Sequence, residues 1–119
     1  MGYEAMEEIA MAEERPTGIY CANDITAIGA LKYIMKNSRN HYHPSIFSED
    51  DIEDAGYTHP MLTTVRVPKD EMAYFAIMIL MDRLNKNHTS ICRMEFEGTL
   101  RVRESCRPPG DDDWYGYTG

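Results

Sequence analysis

Apolar and polar positions follow two different periods along this chain, and the periods predict helices and strands in turn. Apolar residues recur at helical spacing in three stretches, residues 3–14, 25–36 and 70–86. In the third stretch, the apolar positions predict a buried stripe, which consists of Met72, Phe75, Ala76, Ile79, Leu80 and Leu84. Residues 17–22 form a continuous apolar run, which is typical of a strand buried in a parallel sheet.

Further strands are predicted where short apolar or alternating segments lie between turns. Residues 44–48 and 62–67 predict two short strands, and residues 49–54 between them predict an acidic turn. Residues 90–103 alternate with period two, which predicts one longer strand. Because helices and strands alternate along the chain, the predicted fold class is α/β.

Composition and charge exclude several classes of protein. The 119 residues include 12 Lys and Arg against 20 Asp and Glu, a net charge of −8 that argues against a free-standing nucleic-acid-binding domain. No apolar run approaches the roughly 20 residues that a membrane helix needs. Cys21, Cys92 and Cys106 are odd in number and lack CxxC spacing, which indicates reduced thiols in a cytoplasmic protein.

Asp24 is the most informative candidate for binding chemistry. It follows a predicted buried strand and opens a helix, and ligands bind open α/β sheets at such carboxyl ends. An ionised carboxylate accepts up to about four hydrogen bonds, which suits the vicinal hydroxyls of a sugar. Asp is also favoured at this position simply because it caps the next helix. Spacing alone leaves both roles open.

A metal site is a weaker alternative. His41 and His43 precede several loop carboxylates, and these residue types suit Zn²⁺ or Mn²⁺. The carboxylates are Glu49, Asp50, Asp51, Glu53 and Asp54. The spacing matches no defined set of metal ligands, and no nucleophile or phosphate-binding motif is present. We therefore predict no metal, no other cofactor and no enzymatic activity, with a metal-dependent enzyme as the alternative.

Several stretches together resemble the LacI/GalR family of bacterial transcriptional regulators. Residues 16–31, PTGIYCANDITAIGAL, resemble the family segment PTAIFCANDxxAIGAL. Further matches are residues 50–53 and 60–65 to DDIE…P.LTTV, residues 68–84 to P..E….A…L..RL, and residues 103–106 to the closing RESC. Order and spacing agree over roughly residues 1–106. The crossover HYHPSI at residues 41–46 is similar to that of repressors of β-galactosidase operons.

The resemblance implies a periplasmic-binding-protein-like (type I) core, in which two Rossmann-like lobes enclose a sugar effector. This chain would form the C-terminal part of both lobes. Residues 1–40 and 91–106 would belong to the C-terminal lobe and residues 45–88 to the N-terminal lobe, with residues 107–119 as a mobile tail. A helix-turn-helix head that binds operator DNA would precede the chain and is absent from it.

The resemblance also implies roles for individual residues. Asp24 and Asn23 would bind effector hydroxyls, and the helix at residues 25–36 would face a second copy. Its interface residues would be Ile28, Leu31 and Met35. Ser48 and Glu49 replace the Gly-Phe pair usual in the family. Since each lobe fragment is small, we expect the chain to be stable only as a homodimer or larger oligomer.

Two functions from different classes follow. The first is the effector-binding and dimerisation region of a cytoplasmic regulator, which contacts operator DNA only through the absent head and does not contact membranes. The alternative is a fragment of a secreted sugar-binding protein of a transporter, which shares the fold. The closing Arg-Glu-Ser-Cys motif and the free cysteines favour the regulator.

Overall fold

The computed structural model describes residues 1–109, so most of the predicted tail at 107–119 lies outside the described residues. The helices are α1 (Gly2–Met11), α2 (Asp24–Lys36) and α3 (Lys69–Leu84). The strands are β1 (Gly18–Tyr20), β2 (Ser45–Asp50), β3 (Thr63–Arg66) and β4 (Thr99–Arg101). Among the described residues, no helix is both long and apolar enough to cross a membrane.

The strands form one sheet in the order β1-β2-β3-β4, and the α/β prediction is confirmed. β2 lies between β1 and β3 and pairs with both in parallel. The register places Tyr20 opposite Phe47, and Asp50 opposite Arg66. Because α2 carries the chain back between β1 and β2, these strands run in the same direction and end at the same edge.

The chain divides into two compact units whose bounds differ from those of the predicted lobes, and the assignment of residues to lobes stays a prediction. Among the described residues, one unit comprises Met1–Arg66 together with residues 100–109, and the other comprises Val67–Thr99. The predicted crossings lay near residues 40–44 and 88–91. The difference arises because β2 and β3 hydrogen-bond into the same sheet as β1, which keeps residues 45–66 with the first unit.

The core of the first unit lies between the two N-terminal helices and the sheet. Met6 of α1, Leu31 of α2 and Ile46 of β2 are at most 2% exposed. α1 approaches α2 so closely that a Cβ atom on Gly2 would overlap the Thr26 carbonyl oxygen. This close approach, rather than helix propensity, requires glycine at position 2.

The second unit is far less packed than its pattern predicted. The predicted buried stripe of α3 is wrong, because no residue of the helix is buried and Leu84 is 64% exposed. Phe75 and Phe96 pack with ring centroids 5.7 Å apart. The strand predicted over residues 90–103 is reduced to β4. Within this unit, a single helix and one irregular segment provide too little surface to bury apolar side chains around the helix.

Candidate functional site

The carboxyl edge of the sheet gathers the polar residues that follow β1, β2 and β3. Asn23 follows β1, Asp50 ends β2 and Arg66 ends β3. β1 and β2 pair in parallel, so the residues that follow β1 and end β2, Asn23 and Asp50, lie toward the same edge. Ligands of open α/β sheets bind outside this edge. We therefore take it as the candidate site.

Asp24 lies inside the protein rather than at its surface. Its side chain is fully buried, and Oδ1 accepts hydrogen bonds of 2.6 Å from both the Ser48 and the Thr64 hydroxyl groups. Oδ2 accepts a 2.9 Å bond from the Ile52 backbone N–H. The carboxylate therefore joins the start of α2 to β2 and β3. We predicted that it binds effector hydroxyls; in this structure, groups of the protein itself make three of the roughly four hydrogen bonds that a carboxylate accepts.

Asn23 lies at the exposed edge, and one end of its side chain has a structural role. Its Oδ1 accepts a 2.9 Å hydrogen bond from the Thr26 backbone N–H and so caps α2. Within the described part of the chain, the amide nitrogen of Asn23 has no hydrogen-bond partner. This amide can therefore donate to a ligand without uncapping the helix.

Asp50 is a second candidate for an effector-binding carboxylate, which sequence reasoning placed in an acidic turn and considered only as a possible metal ligand. It ends β2 and is half-buried, and the described residues include no hydrogen-bond or ion-pair partner for its side chain. Its φ of 118° and the φ of 52° at Asp51 are positive, which costs non-glycine residues energy. Such outliers concentrate at functional sites. The signal available in the sequence was an acid pair directly after an apolar strand.

Asp51, next to it, is fully engaged in ion pairs. Its side chain is 2% exposed, and the two oxygens contact Arg103 Nη2 at 2.6 Å and Arg66 Nε at 2.7 Å. Burial by itself would raise the pKa of the Asp51 carboxyl group. Hydrogen bonds from both arginines and their charges outweigh burial and hold the pKa below its ordinary value. Asp51 is therefore ionised at neutral pH.

Two aromatic rings lie near the end of the strands. Tyr20 and Phe47 pair across β1 and β2 with centroids 5.5 Å apart, and Tyr20 is 57% exposed. The Tyr20 hydroxyl donates a 2.7 Å hydrogen bond to Glu49 Oε1, which raises the pKa of the Tyr20 phenol. Exposed rings beside polar groups suit a ligand with both apolar and hydroxyl surfaces.

The structure separates the residues of the suggested metal site. His41 and His43 line a groove at the start of β1 and β2, whereas Asp50 ends β2. A strand rises about 3.3 Å per residue, so the length of β2 alone places roughly 16 Å between them. Among residues 1–109, no three potential ligands lie close enough to hold a metal ion.

The residues predicted to face a second copy differ in exposure. Leu31 is 2% exposed and belongs to the core, so it is not at the surface. Ile28 and Met35 are partly buried and pack against that core. Ile25, one turn earlier than Ile28, is 74% exposed and is the apolar residue that α2 presents to solvent.

Comparison with known proteins identifies the class to which this fold belongs. Residues 1–106 match the periplasmic binding protein-like domain family, and the chain belongs to that family. The HTH-type transcriptional repressor PurR of Erwinia tasmaniensis is 33% identical over 105 residues, which cover 87% of this chain and 31% of that protein. The chain thus spans about a third of the length of the curated relatives that it matches.

Solved structures confirm the predicted fold and the resemblance to LacI/GalR regulators. A transcriptional regulator of the LacI family from Burkholderia phymatum superimposes with a TM-score of 0.69 at 30% identity, over 87% of this chain and 38% of that one. The transcriptional regulator CelR in its complex with cellobiose gives a TM-score of 0.78 at 27% identity, over 88% and 32%. These relatives are regulators, which favours that class over a secreted transport protein.

Proposed function

We propose that the carboxyl edge of the sheet is the effector-binding site of a cytoplasmic LacI-family transcriptional regulator, and that its effector is a sugar. The observation that carries the proposal is the Asp50 carboxylate. It lies at the ligand-binding edge of the fold and has no internal partner among the described residues. Cellobiose bound to CelR supports a sugar as ligand class. No enzymatic step is proposed.

In this proposal, Asp50 accepts hydrogen bonds from sugar hydroxyls and Asn23 donates one through its free amide nitrogen. Charge-assisted bonds to a carboxylate are stronger than neutral ones, so Asp50 contributes more to affinity. Asp24 is a positioning residue, because it holds the start of α2 against the ends of β2 and β3. Tyr20 adds an apolar surface against which a sugar ring packs.

Regulation follows from a population shift. A sugar that binds one arrangement of the receptor more tightly favours that arrangement, and the change alters the affinity for operator DNA by the same coupling free energy. Helix-turn-helix proteins bind two half-sites as dimers. We propose a homodimer in which α2 faces its partner through Ile25 and Ile28, with Met35 at the far end of the helix.

The experiment measures sugar binding to the complete gene product by calorimetry against a set of mono- and disaccharides. We expect Asp50→Asn to weaken binding at least about tenfold, with the folded state little affected. Asp54→Asn is the matched control, because Asp54 is an exposed acid that belongs to no strand of the sheet. Equal affinities of the two variants, or no sugar binding at all, would contradict the proposal.

Dimerisation is tested separately by sedimentation. Ile25→Glu is expected to shift the complete gene product toward monomer, since it places a charge on the apolar surface of α2. Ile77→Glu is the control, because Ile77 of α3 is also largely exposed, at 62% against 74% for Ile25. A stable dimer in both variants would remove α2 from the interface.

A further inference from the structure

Three arginines surround Asp51 and supply more positive charge than that carboxylate neutralises. Arg101 Nε lies 3.8 Å from the same Asp51 Oδ2 that contacts Arg66 Nε, and Arg103 contacts the other oxygen. One carboxylate balances one guanidinium group, so Asp51 by itself leaves two of the three positive charges unbalanced. The excess is local, because the whole chain carries a net charge of −8.

The hydrogen-bond donors are in excess as well. A carboxylate accepts about four hydrogen bonds, whereas each guanidinium group carries five N–H donors. Arg103 uses Nη1 on the Leu62 carbonyl oxygen at 2.8 Å and Nη2 on Asp51. In the described part of the chain, the Arg66 side chain donates a hydrogen bond only through Nε, and the Arg101 side chain donates none. Their side chains are 53% and 43% exposed, so the remaining donors reach solvent.

A second acid, Asp50, forms no direct ion pair with these arginines in the described part of the chain. Asp50 is the register partner of Arg66 on the neighbouring strand. Nevertheless, no ion pair between Asp50 and Arg66 exists among residues 1–109, and Arg66 turns to Asp51 instead. The edge therefore presents a free carboxylate beside two arginines with unused donors.

The two exposed guanidinium groups are held side by side. Asp51 is almost fully buried and keeps both Nε atoms within 4 Å of one oxygen. Phosphate and carboxylate groups match the planar fork of arginine and form paired bonds of about 2.8 Å with it. A single oxyanion can thus bridge Arg66 and Arg101 and relieve the repulsion between their like charges.

We infer that Arg66 and Arg101 form an oxyanion site, and that the effector is a sugar that carries a phosphate or carboxylate group. The inference rests on the proposed function and deepens it. Asp50 receives the hydroxyl groups of such a ligand, and the arginines receive its anionic group. A neutral sugar leaves the excess positive charge uncompensated and binds more weakly.

The experiment follows the Nε–Hε signals of arginine by NMR in the complete gene product, with inorganic phosphate as the probe. Calorimetry compares glucose 6-phosphate and glucuronate with glucose. The test variant is Arg101→Gln, which removes a charge without removing a hydrogen bond. We expect this variant to fold even if Arg66→Gln, which loses a hydrogen bond to Asp51, does not. Arg101→Lys keeps the charge. Arg39→Gln, at an exposed arginine outside the cluster, is the control.

We expect saturable shifts of the Arg66 and Arg101 signals and about tenfold tighter binding of at least one anionic sugar than of glucose. Arg101→Gln should reduce that preference to about twofold, Arg101→Lys to an intermediate value, and Arg39→Gln should leave it unchanged. Added salt should weaken the preference, because exposed charges are screened.

Unmoved signals, or unchanged phosphate affinity in Arg101→Gln, would overturn the inference and make the arginines purely structural. Glucose that binds as tightly as its phosphate and still depends on Asp50 would overturn the inference alone. If the affinity for anionic sugars falls in Arg101→Gln but not in Asp50→Asn, the proposed hydroxyl site alone is overturned. Binding of neither sugar class nor phosphate would overturn both.

Discussion

The Thr64 hydroxyl donates a 2.6 Å hydrogen bond to the Asp24 carboxylate across 40 residues of chain. Ser48 donates to the same oxygen at the same distance. A helix start is thereby tied to two neighbouring strands through one fully buried acid. Removing a partner from such a network leaves buried donors without acceptors, and that is where stability should be most sensitive.

Asp24→Ala should lower the free energy of unfolding by about 3 kcal/mol, because the Ile52 N–H and two hydroxyl groups lose their acceptor. Asp24→Asn should cost less, since one amide oxygen still accepts. Urea denaturation measures both. The control is Asp54→Ala, for which a surface change within about 0.5 kcal/mol is expected. Equal free energies of unfolding for Asp24→Ala and the control would show that this hydrogen-bond network does not stabilise the fold.

Asp51 should make stability depend on pH in the acidic range. Its folded pKa lies below the ordinary value, so its contribution is fully present above the unfolded pKa of about 3.9. The contribution is lost as the pH falls through the folded pKa. Asp51→Asn should therefore be less stable than the parent by about 2 kcal/mol at pH 7, with the gap closing toward pH 3.

The measurement for Asp51 is urea denaturation at pH 7, 5 and 3, with Asp54→Asn as a reference for ordinary surface acids. A gap between Asp51→Asn and the parent that stays constant down to pH 3 would mean that the ion pairs do not contribute through ionisation.

Ser105 should be a second stability centre, because it joins the closing segment to two strands. Its hydroxyl donates to the Ile46 carbonyl oxygen at 2.6 Å and accepts from the Thr63 N–H at 2.7 Å, and the residue is fully buried. Ser105→Ala should lower the free energy of unfolding by about 2 kcal/mol. Ser90→Ala, at an exposed serine, should be neutral in the same denaturation series. If Ser105→Ala changes the free energy of unfolding as little as Ser90→Ala does, Ser105 does not stabilise the fold.

The cysteines should differ in reactivity. Burial raises the pKa of the Cys21 and Cys106 thiols, while Cys92 is exposed. The thiolate is the reactive form, so iodoacetamide at pH 8 should modify Cys92 first, at least about tenfold faster than the others. Mass spectrometry of digests resolves the three sites, and in urea the rates should converge. A Cys106 rate equal to that of Cys92 in the folded protein would contradict the observed burial.

Much of the first unit could be predicted from local pattern. The apolar run before Asn23, the helical period after it and the β-branched segment before Pro68 all correspond to elements of the structure. These signals are local, because strand and helix periods differ within a few residues. The family motifs added the fold and the class of regulator, which periodicity cannot supply.

Burial, by contrast, was predicted poorly where it depends on neighbours. The apolar residues of α3 have helical spacing, but this spacing does not show whether another element packs against them. The alternation over residues 90–103 likewise became a strand only at Thr99–Arg101, since a strand needs a hydrogen-bonding partner along its whole length.

Residue order alone was sufficient to predict the alternating elements and the family. Which acid is free was decided by folding. Asp24 and Asp50 both end or follow a strand, but only the first meets Ser48, Thr64 and the Ile52 N–H, which come from distant parts of the chain. Those donors bind Asp24 internally, while the described residues include no hydrogen-bond or ion-pair partner for the Asp50 side chain.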